Sequence, residues 1–299
     1  MSLPIFDVLS PGALSLYQDR GRWGYAQLGV SSSGSFDRFC AARANAALGN
    51  TVDAPVIEVL MGGLSVRFHA AAHIIFYGTD SLISITSAAG KKTHSYTGAI
   101  IDVQAGDVIT LDHADSRLRT YFAIRGGFAV TPILESASSD RLSGIGPAPL
   151  SVGDTAHCAY DTGEFLAMHN WYPTLRQLPP LWQHKQHEIL TVTLGPRDDW
   201  FSSTTVRSFL QQRYRVTSES DRIGIRLQAP QPIERLKTEE LQSEGMVRGC
   251  IQIPPSGDPV IFGADHPVTG GYPVIAVLTR ESCDRCAQLV PGQTVSFTL

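Results

Sequence analysis

Apolar residues recur every second position in short runs along most of this chain, and the runs are separated by Gly, Pro, Asp and Ser clusters. That pattern predicts strands at Ile5–Leu9, Leu64–Phe68, Ala72–Phe76, Leu82–Ile85, Val108–Leu111 and Thr120–Ile124 in the first half. A second series follows at Ile189–Leu194, Tyr214–Thr217, Ile223–Leu227, Cys250–Ile253, Val260–Gly263, Val274–Leu278 and Thr294–Leu299. The spacing is that of an all-β sandwich or barrel. Helical spacing is confined to Asp37–Leu48, Trp200–Leu210 and Arg280–Leu289. The first of these has Ser35 or Asp37 as candidate caps and ends at Gly49-Asn50; Asn45 is polar in mid-helix, so it faces solvent or bonds a neighbouring loop. Leu14–Ser35 is polar and glycine-rich and predicts a long loop. Tyr172–His187, with Pro173, Pro179 and Pro180, predicts a connector. The expected division is therefore an N-terminal β-rich half over 1–180, with the Gln-Asp-Arg-Gly-Arg loop, and a C-terminal β half over 188–299.

The second half carries the most distinctive pattern. Cys250–Ile253 and Val260–Gly263 flank Pro254-Pro255-Ser256-Gly257-Asp258-Pro259, which predicts a hairpin. Gln252 lies between Ile251 and Ile253, so it projects to the opposite face from both. Beyond the hairpin come Asp265-His266 and Thr269-Gly270-Gly271-Tyr272-Pro273. Gln252, Asp265, His266, Thr269 and Tyr272 thus gather near strand ends around a bare turn, a plausible floor for a small-molecule site. The glycines allow positive φ or a close backbone approach. The alternative is a tight hairpin with a glycine corner and no ligand.

Composition narrows the classes. With 43% hydrophobic and 17% charged residues in 299, the chain is globular with a large core. A net charge of -4, with no basic run longer than Lys91-Lys92, argues against nucleic acid. No apolar stretch has the length of a membrane span, and Met1-Ser2-Leu3 does not open a signal peptide; a cytoplasmic location is expected. Five scattered cysteines predict reduced thiols, and Cys283-x-x-Cys286 lacks the further ligands of a zinc site, so no metal is expected. His184 and His187 fall in the connector and are expected to face solvent.

Other chemistry is weaker. Gly90-Lys91-Lys92-Thr93 lacks the upstream glycine of a phosphate loop, and Gly144-Ile145-Gly146 lacks a third glycine. Asp19, Arg20 and Arg22 either bind an anion or form an internal Asp–Arg network that pins their loop. Glu58 interrupts the apolar run Pro55–Leu60, so it is an arginine's partner or a general base.

Five motifs in order carry a family likeness: Leu14–Asn50, Glu58–Gly63 (EVLMGG), Arg125-Gly126-Gly127, Ser220-Asp221-Arg222-Ile223-Gly224 and Ser243–Pro273. Together they resemble the KipA family, whose members are also described as allophanate hydrolase subunit 2-like proteins, as the biotin-dependent carboxyltransferase family, or as the C-type subunits of 5-oxoprolinase. The chain departs from that pattern where Glu135-Ser136-Ala137-Ser138-Ser139-Asp140 stands in place of Gly-Ser-Arg-Ser-Thr-Asp, and 142–149 is shortened. The resemblance implies a mainly β fold of two cyclophilin-like, barrel-type halves with a few short helices. It implies a component of an ATP-dependent 5-oxoprolinase, a hydrolase that opens 5-oxoproline to glutamate, working with a KipI-like (B-type) partner and a subunit-A-like partner. The ATP is bound by the complex or by this chain. The alternatives are a non-catalytic regulator of a KipI-like partner, with Trp23, Tyr25 and Tyr272 as anchors, and a carboxyltransferase in a urea-carboxylase-like system. The latter needs a separate carrier, because no Met-Lys-Met biotin attachment site occurs here.

On that reading Gln252 hydrogen-bonds the lactam or a urea-like amide, and Asp265 or His266 orients water or substrate. Amides of Gly270 and Gly271 approach an oxyanion or carboxylate beside Thr269 and Tyr272, and Arg20 or Arg22 holds the substrate carboxylate.

Overall fold

The computed structural model describes residues 2–299 except 115, 160–172, 174, 180, 182–184 and 238. The protein is mainly β and divides into two compact units. The first comprises Met1–Gly21, Arg38–Ser139 and Gly144–Gln183; the second comprises Arg22–Asp37, Asp140–Ser143 and His184–Leu299. Two short segments of the N-terminal half therefore belong to the C-terminal unit.

The first unit holds eleven strands: β1 (Leu3–Pro11), β2 (Leu14–Gln18), β3 (Val56–Leu60), β4 (Leu64–Phe68), β5 (Ala72–Tyr77), β6 (Leu82–Thr86), β7 (Lys92–Tyr96), β8 (Ile100–Val103), β9 (Val108–Leu111), β10 (Arg119–Ile124) and β11 (Thr155–Cys158). They form one sheet in the order β11-β1-β4-β9-β6-β7 and another in the order β2-β3-β10-β5-β8. One core takes Phe6, Val66 and Ile109 from the first sheet and Val59, Phe76 and Phe122 from the second. Phe76 and Phe122 stack with centroids 4.3 Å apart. The other face of the second sheet is covered by helix α1 (Arg38–Ala47), whose Cys40 and Ala44 share a cluster with Ile75, Tyr121 and Ala123. Cover on both faces explains why every residue of β10 is buried. β4, by contrast, keeps the alternation of a strand with one wet face.

Several local expectations change. The segment 14–35 is not one loop: its first five residues form β2, which pairs with β3. β7 gives no periodic signal because KTHSY is a polar edge strand with no buried stripe. Phe39 is exposed, and Cys40, Ala41 and Ala44 form the inner stripe of α1. Asn45 is buried and donates to the Ala54 carbonyl at 2.8 Å. Glu58 is an arginine's partner: Arg119 Nε lies 3.4 Å away on the adjacent β10, and Tyr121 OH donates to it at 2.9 Å. Asp19 takes no arginine. It accepts from the Gly21 amide, the Ser136 and Ser138 hydroxyls and the Ala137 amide at 2.6–2.7 Å.

That serine loop opens on a tight turn. Ile133 and Ser136 exchange backbone bonds, with Leu134 at φ 51° and Glu135 at φ 63° between them. Two left-handed residues make the turn type that favours Asn-Gly, and neither side chain suits it. Glu135→Gly, which restores the residue of the family pattern, is expected to stabilise the protein by about 1 kcal/mol, read as a raised midpoint in urea unfolding.

The second unit is a closed barrel. Its strands are β12 (His187–Leu194), β13 (Tyr214–Val216), β14 (Gly224–Gln228), β15 (Glu244–Gly245), β16 (Cys250–Gln252), β17 (Val260–Phe262), β18 (Thr269–Gly270), β19 (Val274–Leu278) and β20 (Thr294–Thr298). Barrel order is β12-β19-β16-β17-β14-β13-β20, closed by parallel pairing of β12 with β20; β15 and β18 form a separate ribbon. Ile251, Ile261, Ile275, Tyr214 and Phe297 fill the interior. Helix α2 (Ser203–Gln211) starts later than expected because Ser202 caps it, accepting from the Thr205 amide at 3.0 Å. Helix α3 (Arg280–Cys286) buries Cys283 and Cys286 against the barrel core as free thiols. His187 is not solvent-facing as expected: it opens β12 with its ring nitrogens 3.0 Å from the Thr294 and Ser296 hydroxyls. His184 lies outside the described residues. Among the described residues no helix is long and apolar enough to cross a membrane, and no group of three or more His, Cys, Asp or Glu could hold a metal ion.

Candidate functional site

The hairpin expected at 250–263 is present as β16 and β17, with Ile251 opposite Ile261 and Gln252 opposite Val260. Period-two geometry sends Ile251 and Ile253 into the barrel. On the outer face Cys250, Phe262, Val274 and Met246 form a small apolar cluster. Gln252 borders it. The register of β16 on β19 slips between Ile251 and Gln252, from Ala276 to Val274. A bulge of this kind re-aims a side chain, and here it falls at the one polar residue of the strand.

Gln252 is only 5% exposed. Its Nε2 donates to the Tyr272 carbonyl at 3.0 Å and approaches Met246 Sδ at 3.5 Å. A carbonyl can only accept, so the amide orientation is fixed and Oε1 is the remaining end. The Gly270 position is bare for a reason: a Cβ there would come 2.5 Å from Gln252 Nε2 and 3.2 Å from Met246 Cγ. Neither Gly270 nor Gly271 uses positive φ, so of the two uses open to the pair, Gly270 serves close approach.

His266 stacks on Phe262, with centroids 6.0 Å apart and planes 12° apart. Its Nδ1 lies 2.9 Å from the Pro267 carbonyl, which assigns that nitrogen the proton. Burial pushes the imidazole below its ordinary 6.5, assisted by the charge of Arg248 and opposed by the Pro267 contact and by Asp265 and Asp140. A neutral ring with Nδ1 protonated presents Nε2 as an acceptor.

Asp265 has a different part from the one expected. It is fully buried and accepts from Arg222 Nε and Nη2 at 2.8 and 2.9 Å, from the Ser33 hydroxyl at 2.6 Å and from the Arg141 amide at 3.0 Å. Four donors occupy a carboxylate's four acceptor positions, leaving none for water or substrate. The group fastens chain segments: Arg222 Nη2 also donates to the Gly34 carbonyl at 2.7 Å, and Ser33 is held at φ 51°. Beside it Asp140 accepts from the Ser31 hydroxyl at 3.0 Å. Phe36 sits in the barrel core under Arg222 and Arg248, and Arg248 Nη2 donates to its carbonyl and to Asp284.

The remaining residues separate. Thr269, Gly271 and Tyr272 are exposed on and beside the β15–β18 ribbon, where Glu244 faces Gly270 and is held by an ion pair with Arg197. Arg22 is buried, with its amide on the Ser32 carbonyl. Arg20 belongs to the first unit, where it is exposed and pairs with Asp53 at 3.3 Å. Sequence reasoning missed Met246, which sets the Gln252 amide, and Arg222, which occupies Asp265. The signal for Arg222 was its place at the head of an apolar strand, where a cation needs a carboxylate.

Residues 28–299 match the family described as "Carboxyltransferase domain, subdomain A and B". The chain is 29% identical over 297 residues to the C-type subunit of 5-oxoprolinase from Escherichia coli, covering 97% of this chain and 89% of that protein. It is 30% identical over 310 residues to urea amidolyase of Lachancea kluyveri, covering 98% of this chain but 17% of that protein. The crystal structure of the K. lactis urea amidolyase superimposes with a TM-score of 0.86 at 25% identity, over 99% of this chain and 19% of that one. With a match across most of its length, the chain belongs to the carboxyltransferase domain family, subdomains A and B.

Proposed function

We propose that this chain is the C-type subunit of an ATP-dependent 5-oxoprolinase, acting with a KipI-like and a subunit-A-like partner. The observation that carries this reading is the near end-to-end similarity to a protein named as that subunit, whereas the urea amidolyases extend far beyond the shared part. Opening a lactam means positioning a planar amide, adding water to its carbonyl carbon, breaking the C–N bond and delivering a proton to the leaving nitrogen. The outer barrel face offers parts for the first and last tasks: the pinned Gln252 amide and the neutral His266 imidazole. Asp265 takes no step, since its lone pairs are filled. Gly90-Lys91-Lys92, the one glycine–lysine stretch, is an exposed turn leading into edge strand β7 and does not cradle a phosphate. ATP is therefore placed with one of the partners, and no step here runs through it.

Carboxyl transfer to a urea-like amide is the second reading, favoured by the family match and by the superposition on urea amidolyase. It requires a separate biotin carrier. A partner-binding part accompanies either reading: Trp23 is 56% and Leu28 68% exposed on a segment that Ser33 and Asp265 fasten to the barrel. The test is ATP-dependent glutamate release from 5-oxoproline by the purified partners with and without this chain. Release that needs this chain is the expected result. No release from an assembled complex overturns the proposal.

A further inference from the structure

Gln252 and His266 share one feature that their residue types alone do not dictate. Each has its donor end tied to a backbone carbonyl, Gln252 Nε2 to Tyr272 and His266 Nδ1 to Pro267. Each therefore keeps only an acceptor, Oε1 in one case and Nε2 in the other. Among the described residues neither acceptor has a hydrogen-bond partner. Both side chains border the same apolar cluster, Gln252 through Met246 and His266 through its stack on Phe262. The tie on Gln252 is firm, because the bulge aims the side chain and the bare Gly270 leaves room for Nε2 where a methyl group would displace it.

We propose that this outer barrel face is a binding site that reads N–H groups, with Gln252 Oε1 and His266 Nε2 as paired acceptors for the N–H edge of a small planar amide or ureide. The inference rests on the amide-opening reading above and sharpens it. An amide side chain free to rotate accepts from N–H or donates to C=O with equal ease and does not distinguish an amide from an ester. A pinned one does distinguish them, because an ester oxygen offers no proton and leaves the buried acceptor unmatched. The apolar cluster suits the flat face of such a ligand. A metal ion is a poor alternative occupant, since both acceptors are neutral and among the described residues no metal-holding group exists. Lowering of the His266 basicity by burial keeps its Nε2 lone pair available near neutral pH.

Direct binding to the full chain tests this, using ligand-observed NMR competition with 5-oxoproline, its N-methyl derivative, the corresponding γ-lactone carboxylate, urea and tetramethylurea. The expected result is binding of 5-oxoproline or urea at least ~10-fold tighter than of the matching compounds without N–H, the cost of one unmatched acceptor. Gln252→Leu is expected to shrink that ratio to below ~3-fold. The wild-type ratio needs no variant, so it stands even if Gln252→Leu misfolds. Equal binding of N–H and N–H-free compounds, or binding of none of them, overturns the inference. A complex that releases glutamate but shows no N–H preference overturns this inference alone. A clear N–H preference without glutamate release overturns the 5-oxoprolinase reading alone.

Discussion

Arg222→Met is expected to destabilise the protein by about 3–5 kcal/mol, lowering the thermal midpoint of the barrel unit by roughly 10 °C. Arg222 and Asp265 are both buried and joined by two short bonds. Removing the cation leaves a carboxylate sealed from water, with only the Ser33 hydroxyl and the Arg141 amide to satisfy it. The loss also frees the Gly34 carbonyl and the cationic face over Phe36. Arg222→Met combined with Asp265→Leu is expected to recover much of the loss, because the desolvation cost disappears with the charge. Calorimetry of both singles and the double variant reads the coupling directly. A cost below about 1 kcal/mol for Arg222→Met would show that Asp265 is not bound up as described and restore it as a candidate for orienting water.

Gly270→Ala is expected to separate activity from stability. The new Cβ meets Gln252 Nε2 at 2.5 Å and the Met246 side chain at 3.2 and 3.3 Å, so the amide must swing off the Tyr272 carbonyl. A displacement near 1 Å at a positioning group costs about 10²-fold in kcat/KM. The backbone at 270 is outside the left-handed region and the ribbon strand is partly exposed, so the melting temperature is expected to hold within about 2 °C. Gly245→Ala on the paired strand meets nothing within 4 Å and is the control. Full activity in Gly270→Ala would remove Gln252 from the reaction.

Local pattern made part of this legible. The hairpin at 250–263 followed from alternation around a Pro-Gly-Asp turn, and period two placed Gln252 outside the barrel with no structural information. Arg20, Arg22 and Asp265 show where local pattern stops. Residue type marked all three as ion-binding, but their parts depend on partners far away in sequence. Asp265 lies 232 residues from Ser33 and 43 from Arg222. Asp19 lies 117 residues from Ser136, and its donors are neutral, so no charge pattern pointed to them. β2 and β7 were hidden for simpler reasons. One continues directly into a polar loop, and the other has no apolar face to reveal its period. Gly270 stands out in the sequence as a flexible glycine, whereas its use is the space it leaves, which only the Gln252 side chain makes visible.

The central claim is that this chain presents the amide to be opened through Gln252 on the outer barrel face. The most direct measurement is glutamate release from 5-oxoproline and ATP by the assembled complex, comparing wild type with Gln252→Leu after both are shown to assemble. Release is expected to require this chain and to fall by about 10²-fold in the variant. Release that proceeds without this chain, or at the wild-type rate with Gln252→Leu, would contradict the claim.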